Sequence, residues 1–155
     1  MSRATHAITT RTESETQALG AALATLASPG LTVLLSGEIG AGKSTLARAF
    51  VRARLGNPDE DVPSPTFTLV QVYEDTDGDI WHCDLYRLGD PQEVVELGLD
   101  EAMQTAICLI EWPDRLADMT PANALEIQMA AGDDGHHITL TGPTALIDGI
   151  AAAHV

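Results

Sequence analysis

Apolar positions along the chain recur at two spacings, and together they outline alternating helices and strands. From Ser14 to Ala27, Leu19, Ala22, Leu23 and Leu26 fall at helical spacing, with Ser14 and Gln17 placed as a capping box. Leu31-Thr-Val-Leu-Leu35 is a short, nearly continuous apolar run, which predicts a strand buried on both faces. Lys43 to Leu55 carries Leu46, Ala47, Phe50, Val51 and Leu55 on one face, with Gly56 at the stop position, and predicts the next helix. The runs Phe67 to Tyr73 and Ile80 to Tyr86 flank Asp75-Thr-Asp-Gly-Asp79, an antiparallel hairpin signal. Asp90, Pro91 and Glu93 open a short helix that Gly98 ends, and Ala106 to Ile110 is a second fully apolar strand. Ala124 to Ala130 and His136 to Thr141 form another hairpin across Gly132-Asp-Asp-Gly135, and Pro143 to Ala153 reads as a closing helix.

The pattern predicts an α/β fold: a mixed sheet, parallel at the front, with antiparallel hairpins and helices on both faces. No repeat, low-complexity tract or long linker divides residues 1–155, so one domain is expected. Composition then narrows the function. Against 23 Asp+Glu stand 8 Lys+Arg, a formal net charge of −15, and the single lysine is Lys43. Such a chain repels anionic membranes and cannot neutralise a nucleic-acid backbone over a broad surface, so a polyanionic ligand must be met at a local site. Arg48, Arg52 and Arg54 read as a solvated helix face or as contacts for an acidic partner surface. Cys83 and Cys108 belong to no pair or cluster of metal-ligand spacing and read as buried, reduced thiols. With neither a signal-peptide core nor an apolar membrane span, a cytoplasmic location is expected.

Gly37-Glu-Ile-Gly-Ala-Gly42-Lys43-Ser44 matches G-x-x-x-x-G-K-[ST] at every defined position, between an apolar strand and an amphipathic helix. This P-loop pattern puts inward-turned amides of Gly37, Glu38, Ile39, Gly40, Ala41 and Gly42 and a positive helix end around a triphosphate. Lys43 would neutralise the β- and γ-phosphates and the Ser44 hydroxyl would hold Mg²⁺, with Thr45 either alongside or simply a polar residue of the first helical turn. Such a metal site wants a carboxylate at a neighbouring strand end. Glu111 ends Ile107-Cys-Leu-Ile110, and Asp84 ends the less uniformly apolar Ile80-Trp-His-Cys83. One would bind Mg²⁺ directly or through water while the other orients the attacking water; failing that, each is a solvated strand-end acid. Ser64-Pro65-Thr66-Phe67 sits where a nucleotide-sensing loop would reach the γ-phosphate, or is only a proline turn entering a strand. Trp112, before Pro113, and His82, alternating with Asp84, read as packing residues.

Taken together, the phosphate loop, Ser64-Pro-Thr-Phe67, His82-Cys-Asp-Leu-Tyr-Arg-Leu88, Glu96-Leu-Gly-Leu99 and Ile107-Cys-Leu-Ile-Glu-Trp-Pro113 resemble the TsaE (YjeE) family of small bacterial P-loop ATPases. The resemblance runs from about Thr12 to Asp114; beyond it the chain is similar only in length and hairpin pattern. It implies an Mg²⁺-dependent ATPase that supports threonylcarbamoyladenosine formation in the anticodon loop of tRNAs reading codons that begin with A. In that family the ATPase acts with the TsaD and TsaB proteins and meets tRNA only through them. By the same resemblance Lys43 and Ser44 serve phosphate and Mg²⁺, Thr66 acts in a switch-like loop, Glu111 ligates Mg²⁺ and Asp84 supports hydrolysis. Trp112 lies near the nucleotide, and base contacts map to about Thr12 and to His136, a histidine where an arginine is expected.

Two other readings use the same loop. A small-molecule kinase would need arginines closing over the phosphoryl group, and only Arg87 and Arg115 lie beyond the helix predicted over Lys43 to Leu55. A nucleotide-gated binding module would hydrolyse only incidentally. A GTPase reading guanine through Asn-Lys-x-Asp is excluded, because the only lysine is in the phosphate loop.

Overall fold

The run Thr32–Leu35 is buried at every position, and a strand without a polar face is stable only inside a sheet covered on both sides. In the computed structural model, which describes residues 2–38 and 41–153, this strand takes the central place. In chain order the elements are β1 (Arg3–Thr10), α1 (Glu13–Leu26), β2 (Thr32–Gly37), α2 (Lys43–Leu55), β3 (Val70–Asp75), β4 (Gly78–Asp84), α3 (Gln92–Glu96), α4 (Leu99–Thr105), β5 (Ile107–Glu111), β6 (Leu125–Gly132), β7 (Gly135–Pro143) and α5 (Thr144–Ala153). A kinked 3-10 segment, Pro113–Met119, lies between β5 and β6.

The seven strands form one sheet in the order β1-β7-β6-β2-β5-β4-β3. β2 runs parallel to both β5 and β6, and β4 runs parallel to β5. The hairpins β3–β4 and β6–β7 and the pair β1–β7 are antiparallel and make the two flanks. Alternate side chains enter two cores. One lies on the α1/α2 face, with Val33, Leu35, Ile80, Leu109, Leu46 and Phe50; the other lies under α3 and α4, with Leu34, Cys83, Cys108, Ile110 and Leu99. The expected α/β mixed sheet with helices on both faces is therefore what the chain forms.

The helix over Lys43–Leu55 has its expected ends, closed by Gly56 in the left-handed conformation at φ 63°. Elsewhere the boundaries move for identifiable reasons. α1 is capped by Thr12, whose hydroxyl accepts from the Glu15 N–H at 3.1 Å while the Glu15 carboxylate accepts from the Arg11 N–H at 3.2 Å. Thr12-x-x-Glu15 has the same capping spacing as Ser14 and Gln17, and it prevails because Thr16 is buried and bonded to Thr10 at 2.8 Å, tying the first turn to β1. β3 starts at Val70 rather than Phe67, whose ring is 82% exposed in the preceding turn. Gly98 ends the α3 segment at φ 80° and also begins α4, which the sequence pattern does not predict. Nor does it predict β1, an edge strand whose inward apolar side chains Ala4 and Ile8 are only half-buried.

The arginines of α2 are not a solvated face. Arg52 Nε–H donates to the Glu60 carbonyl at 2.9 Å, and Arg48 Nε–H reaches the Val62 carbonyl at 3.5 Å, so both hold the loop leading to Ser64. Arg54 pairs with Asp75 at 2.8 Å and donates to the carbonyls of Ala24 and Ala27, joining α2 to the β3–β4 hairpin and the end of α1.

Candidate functional site

Three parallel strands end side by side above the start of α2. Asp84, the last residue of β4, stands opposite Glu111, the last of β5, and Glu111 in turn stands opposite Leu35 of β2. Alternation puts Ile80, His82 and Asp84, and likewise Leu109 and Glu111, on the sheet face that carries α2. There they meet Gly42, Lys43, Ser44 and Thr45 across a cavity of about 630 Å³, which Ser64, Thr66, Tyr86, Trp112 and His136 also line. Residues far apart in sequence, singled out separately, thus share one space.

The loop that opens this cavity is glycine-dependent at two places. Gly37 has φ 146°, and a Cβ there would collide with the Met129 carbonyl on β6. Gly42 has φ 100°, and a Cβ there would sit 2.9 Å from His136 Nδ1. Glu38 is exposed, and its carbonyl accepts from the Ala41 N–H at 3.1 Å; Ala41 is fully buried. Ile39 and Gly40, also assigned to the phosphate loop from sequence, lie outside the described residues. Lys43 Nζ donates to the Gly37 carbonyl at 2.7 Å and lies 4.8 Å from the centre of the Trp112 ring. The exposed Ser44 is in the first turn of α2, where free N–H groups and the positive end of the helix face the cavity. Lysine, helix end and glycine-bound loop make a candidate anion site on a chain of net charge −15.

Opposite it, Asp84 and Glu111 are each 5% exposed and held in different ways. Asp84 Oδ1 accepts from the Tyr86 N–H at 3.0 Å and Oδ2 accepts from the Thr66 hydroxyl at 3.3 Å. Thr66 is itself 2.8 Å from the Ser64 hydroxyl. Glu111 Oε2 lies 3.0 Å from His82 Nε2. Among the described residues no three His, Cys, Asp or Glu side chains group into a complete metal shell. Two carboxylates beside a serine hydroxyl do fit Mg²⁺, which takes few protein ligands and completes its octahedron with phosphate oxygens and water.

Trp112 is no ordinary packing residue. It adopts φ 58° and ψ 55°, a conformation that costs a non-glycine residue about 1–3 kcal/mol, directly before Pro113. That geometry turns its ring into the cavity, 4.8 Å from the Tyr86 ring. Ser64, from the loop expected to sense the nucleotide, also lines the site, as does Tyr86, which has no role in the sequence reading. The available signal for Tyr86 was its place two residues beyond a strand-end acid. Thr12 and His136, from opposite ends of the chain, share a second cavity of about 250 Å³ with Thr45. His136 and Thr45 border both cavities. Cys83 and Cys108 face away, under α3 and α4. Burial raises both thiols, Cys108 to about 12, which agrees with the inert, reduced reading.

Comparison with known proteins gives a consistent answer. Residues 10–138 match the family described as threonylcarbamoyl adenosine biosynthesis protein TsaE. The tRNA threonylcarbamoyladenosine biosynthesis protein TsaE of Rickettsia bellii is 38% identical over 122 residues, covering 79% of this chain and 84% of that one. Its counterpart in Bacillus subtilis is 39% identical over 129 residues, covering 82% and 79%. The crystal structure of Bacillus subtilis YdiB superposes with a TM-score of 0.78 at 29% identity, across 98% of this chain and 97% of that one, so the likeness continues past Asp114 through the C-terminal hairpin. By its matched length and by these relatives, the chain belongs to the TsaE family.

Proposed function

We propose that this protein is the ATP-hydrolysing accessory factor of tRNA threonylcarbamoyladenosine biosynthesis, the process for which its family is named. It would bind ATP with Mg²⁺, release ADP and phosphate, act with the TsaD and TsaB proteins, and reach tRNA only through them. The observation that carries this reading is the single cavity joining Lys43 and Ser44 at the start of α2 to Asp84 and Glu111 at adjacent strand ends.

In this reading the loop from Gly37 to Gly42 wraps the β- and γ-phosphates with amides, and Lys43 moves from the Gly37 carbonyl onto phosphate oxygens. Ser44, with Glu111 or Asp84, would hold Mg²⁺, which supplies charge to the bridging and γ-oxygens when bound. Thr66, now on Asp84, is placed to turn toward the γ-phosphate, which leaves Asp84 free to accept a hydrogen bond from the attacking water. The water oxygen bonds to the γ-phosphorus as the bond from that phosphorus to the bridging oxygen breaks; ADP departs with that electron pair, and the proton the water loses passes through Asp84 to the released phosphate. The Trp112 and Tyr86 rings form an apolar wall of the site. The smaller cavity by Thr12 and His136 is of a kind to take the base.

The kinase reading has less support: neither Arg87 nor Arg115 lines the cavity, and Arg115 donates to the Tyr86 carbonyl at 3.3 Å. A cytoplasmic location belongs to this reading; among the described residues no helix is long and apolar enough to cross a membrane. Reconstitution with TsaB and TsaD tests the whole: a Lys43→Ala variant should stop multiple-turnover tRNA modification, and undiminished turnover would overturn the assignment.

A further inference from the structure

We infer that His82 is a positioning residue: its Nε2–H holds one oxygen of the Glu111 carboxylate so that the other faces the cavity. The inference rests on the proposed function and on Glu111, of the two carboxylates named there, being the one that holds Mg²⁺. In register His82 stands opposite Leu109, not Glu111, so the contact is diagonal, with the glutamate reaching back along the sheet. Both side chains are almost completely enclosed, at 3% and 7% exposure, and the separation is 3.0 Å. Glu111 lines the cavity and His82 does not, so the imidazole lies behind the carboxylate.

An ionised carboxylate only accepts, so the proton of this bond sits on Nε2. Nδ1, a lone pair if the ring is neutral and an N–H if it is charged, is buried without a partner among the described residues. Leaving a polar atom unsatisfied is unfavourable, and the neighbouring inward position on the same strand, Ile80, shows that this layer accepts an aliphatic side chain. An imidazole carried here at that cost is explained by what its other nitrogen does. The contrast with Asp84 sharpens the point. Both Asp84 oxygens are engaged, by Thr66 and Tyr86, whereas among the described residues only Oε2 of Glu111 has a partner. Glu111 thus has one oxygen fixed and one free, the arrangement that presents a single oxygen to a hard cation. Outer partners of this kind typically alter metal affinity about 10- to 100-fold when lost.

Two measurements on the full chain test this. In ¹H–¹⁵N imidazole spectra of the nucleotide-free wild type, His82 should be the Nε2–H tautomer and should shift in Glu111→Gln; an Nδ1–H tautomer, or no response to that substitution, overturns the pairing. Then His82→Leu, which removes the donor, and His82→Gln, which restores one near the same place, are compared by Trp112 fluorescence in a Trp81→Phe background. The readout is ATP affinity with and without Mg²⁺. His82→Leu should weaken the Mg²⁺-dependent part about 10-fold or more and leave Mg²⁺-free binding unchanged, with His82→Gln recovering most of the loss. Wild-type Mg²⁺ dependence in His82→Leu, or equal impairment in both variants, overturns the role. The wild-type spectrum decides the pairing even if the leucine variant does not fold. Absence of Mg²⁺-dependent ATP binding in the wild type would instead remove the function proposed above.

Discussion

The central strands β2, β5 and β4 and the flank β6-β7-β1 reach the same cavity from two sides, and they are built differently. β5 is buried at all five positions, and β2 at its first four. Val33 to Leu35 and Ile107 to Ile110 are apolar, and Glu111, which lines the cavity, stands at a C-terminal strand end. On the flank, β6 alternates buried Leu125, Ile127 and Met129 with exposed residues, and β1 buries only Thr10 completely. The centre supplies the candidate chemistry: Asp84, Glu111 and the helix carrying Lys43. The flank supplies shape, since the Met129 carbonyl and the His136 ring press on Gly37 and Gly42 and define the loop. An anion site on this acidic chain needs both, one for charge and one to hold the amides where charge can meet them.

Substitutions can separate these contributions. The largest effect is expected at the centre: Lys43→Ala should slow phosphate release by about 10³-fold, near 4 kcal/mol of barrier, while far-UV circular dichroism stays native. Unchanged phosphate release would mean that the loop and not the lysine carries the anion. Next comes packing. Leu109→Ala, at a side chain 1% exposed, should cost about 3 kcal/mol in urea unfolding, against about 1 kcal/mol for Ile8→Ala on the half-buried edge strand. Equal losses would erase the distinction between the two regions.

Alkaline pH should weaken the centre through its thiols. The folded-state value for Cys108 is raised from 9.0 to about 12 by burial, and Cys83 is raised too, by burial first and by Cys108 second. The unfolded chain therefore loses these protons first. The thiol contribution is complete below about pH 9 and declines toward about pH 12 for Cys108, at up to about 1.4 kcal/mol per pH unit per thiol. Urea titrations should show a flatter alkaline limb in Cys108→Ala; an identical limb would remove the thiol as its cause. The smallest effect belongs to the flank side: Thr12→Ala deletes the cap of α1 and should cost about 1 kcal/mol in thermal unfolding. A loss of ATP affinity beyond that destabilisation would assign the hydroxyl to the base as well.

Legibility followed burial. The strands Leu31 to Leu35 and Ala106 to Ile110 announced themselves because burial on both faces leaves an uninterrupted apolar run, and the following helix because glycine, lysine and apolar spacing agree over Lys43–Leu55. β1 was invisible because only Ala4 and Ile8 of its apolar side chains pack inward, too little to mark a period of two. The cap of α1 was misplaced because two overlapping stretches carry the same spacing, and only the buried Thr10–Thr16 bond chooses between them. His82 looked like packing because nothing local shows that a diagonal neighbour is Glu111.

The amino-acid order by itself determined which residues could hold phosphate and metal, since that chemistry depends on the single lysine, the loop glycines and strand-end acids recognisable from composition and spacing. It also marked the family, through blocks whose order is visible without coordinates. Only the tertiary structure decided how those groups divide their hydrogen bonds. Thr66 and Tyr86 hold Asp84, His82 backs Glu111, and His136 closes on Gly42. Such contacts arise from strand order and diagonal register across the sheet, quantities that chain neighbours do not encode because the partners come from separate elements brought together only by burial of the two cores.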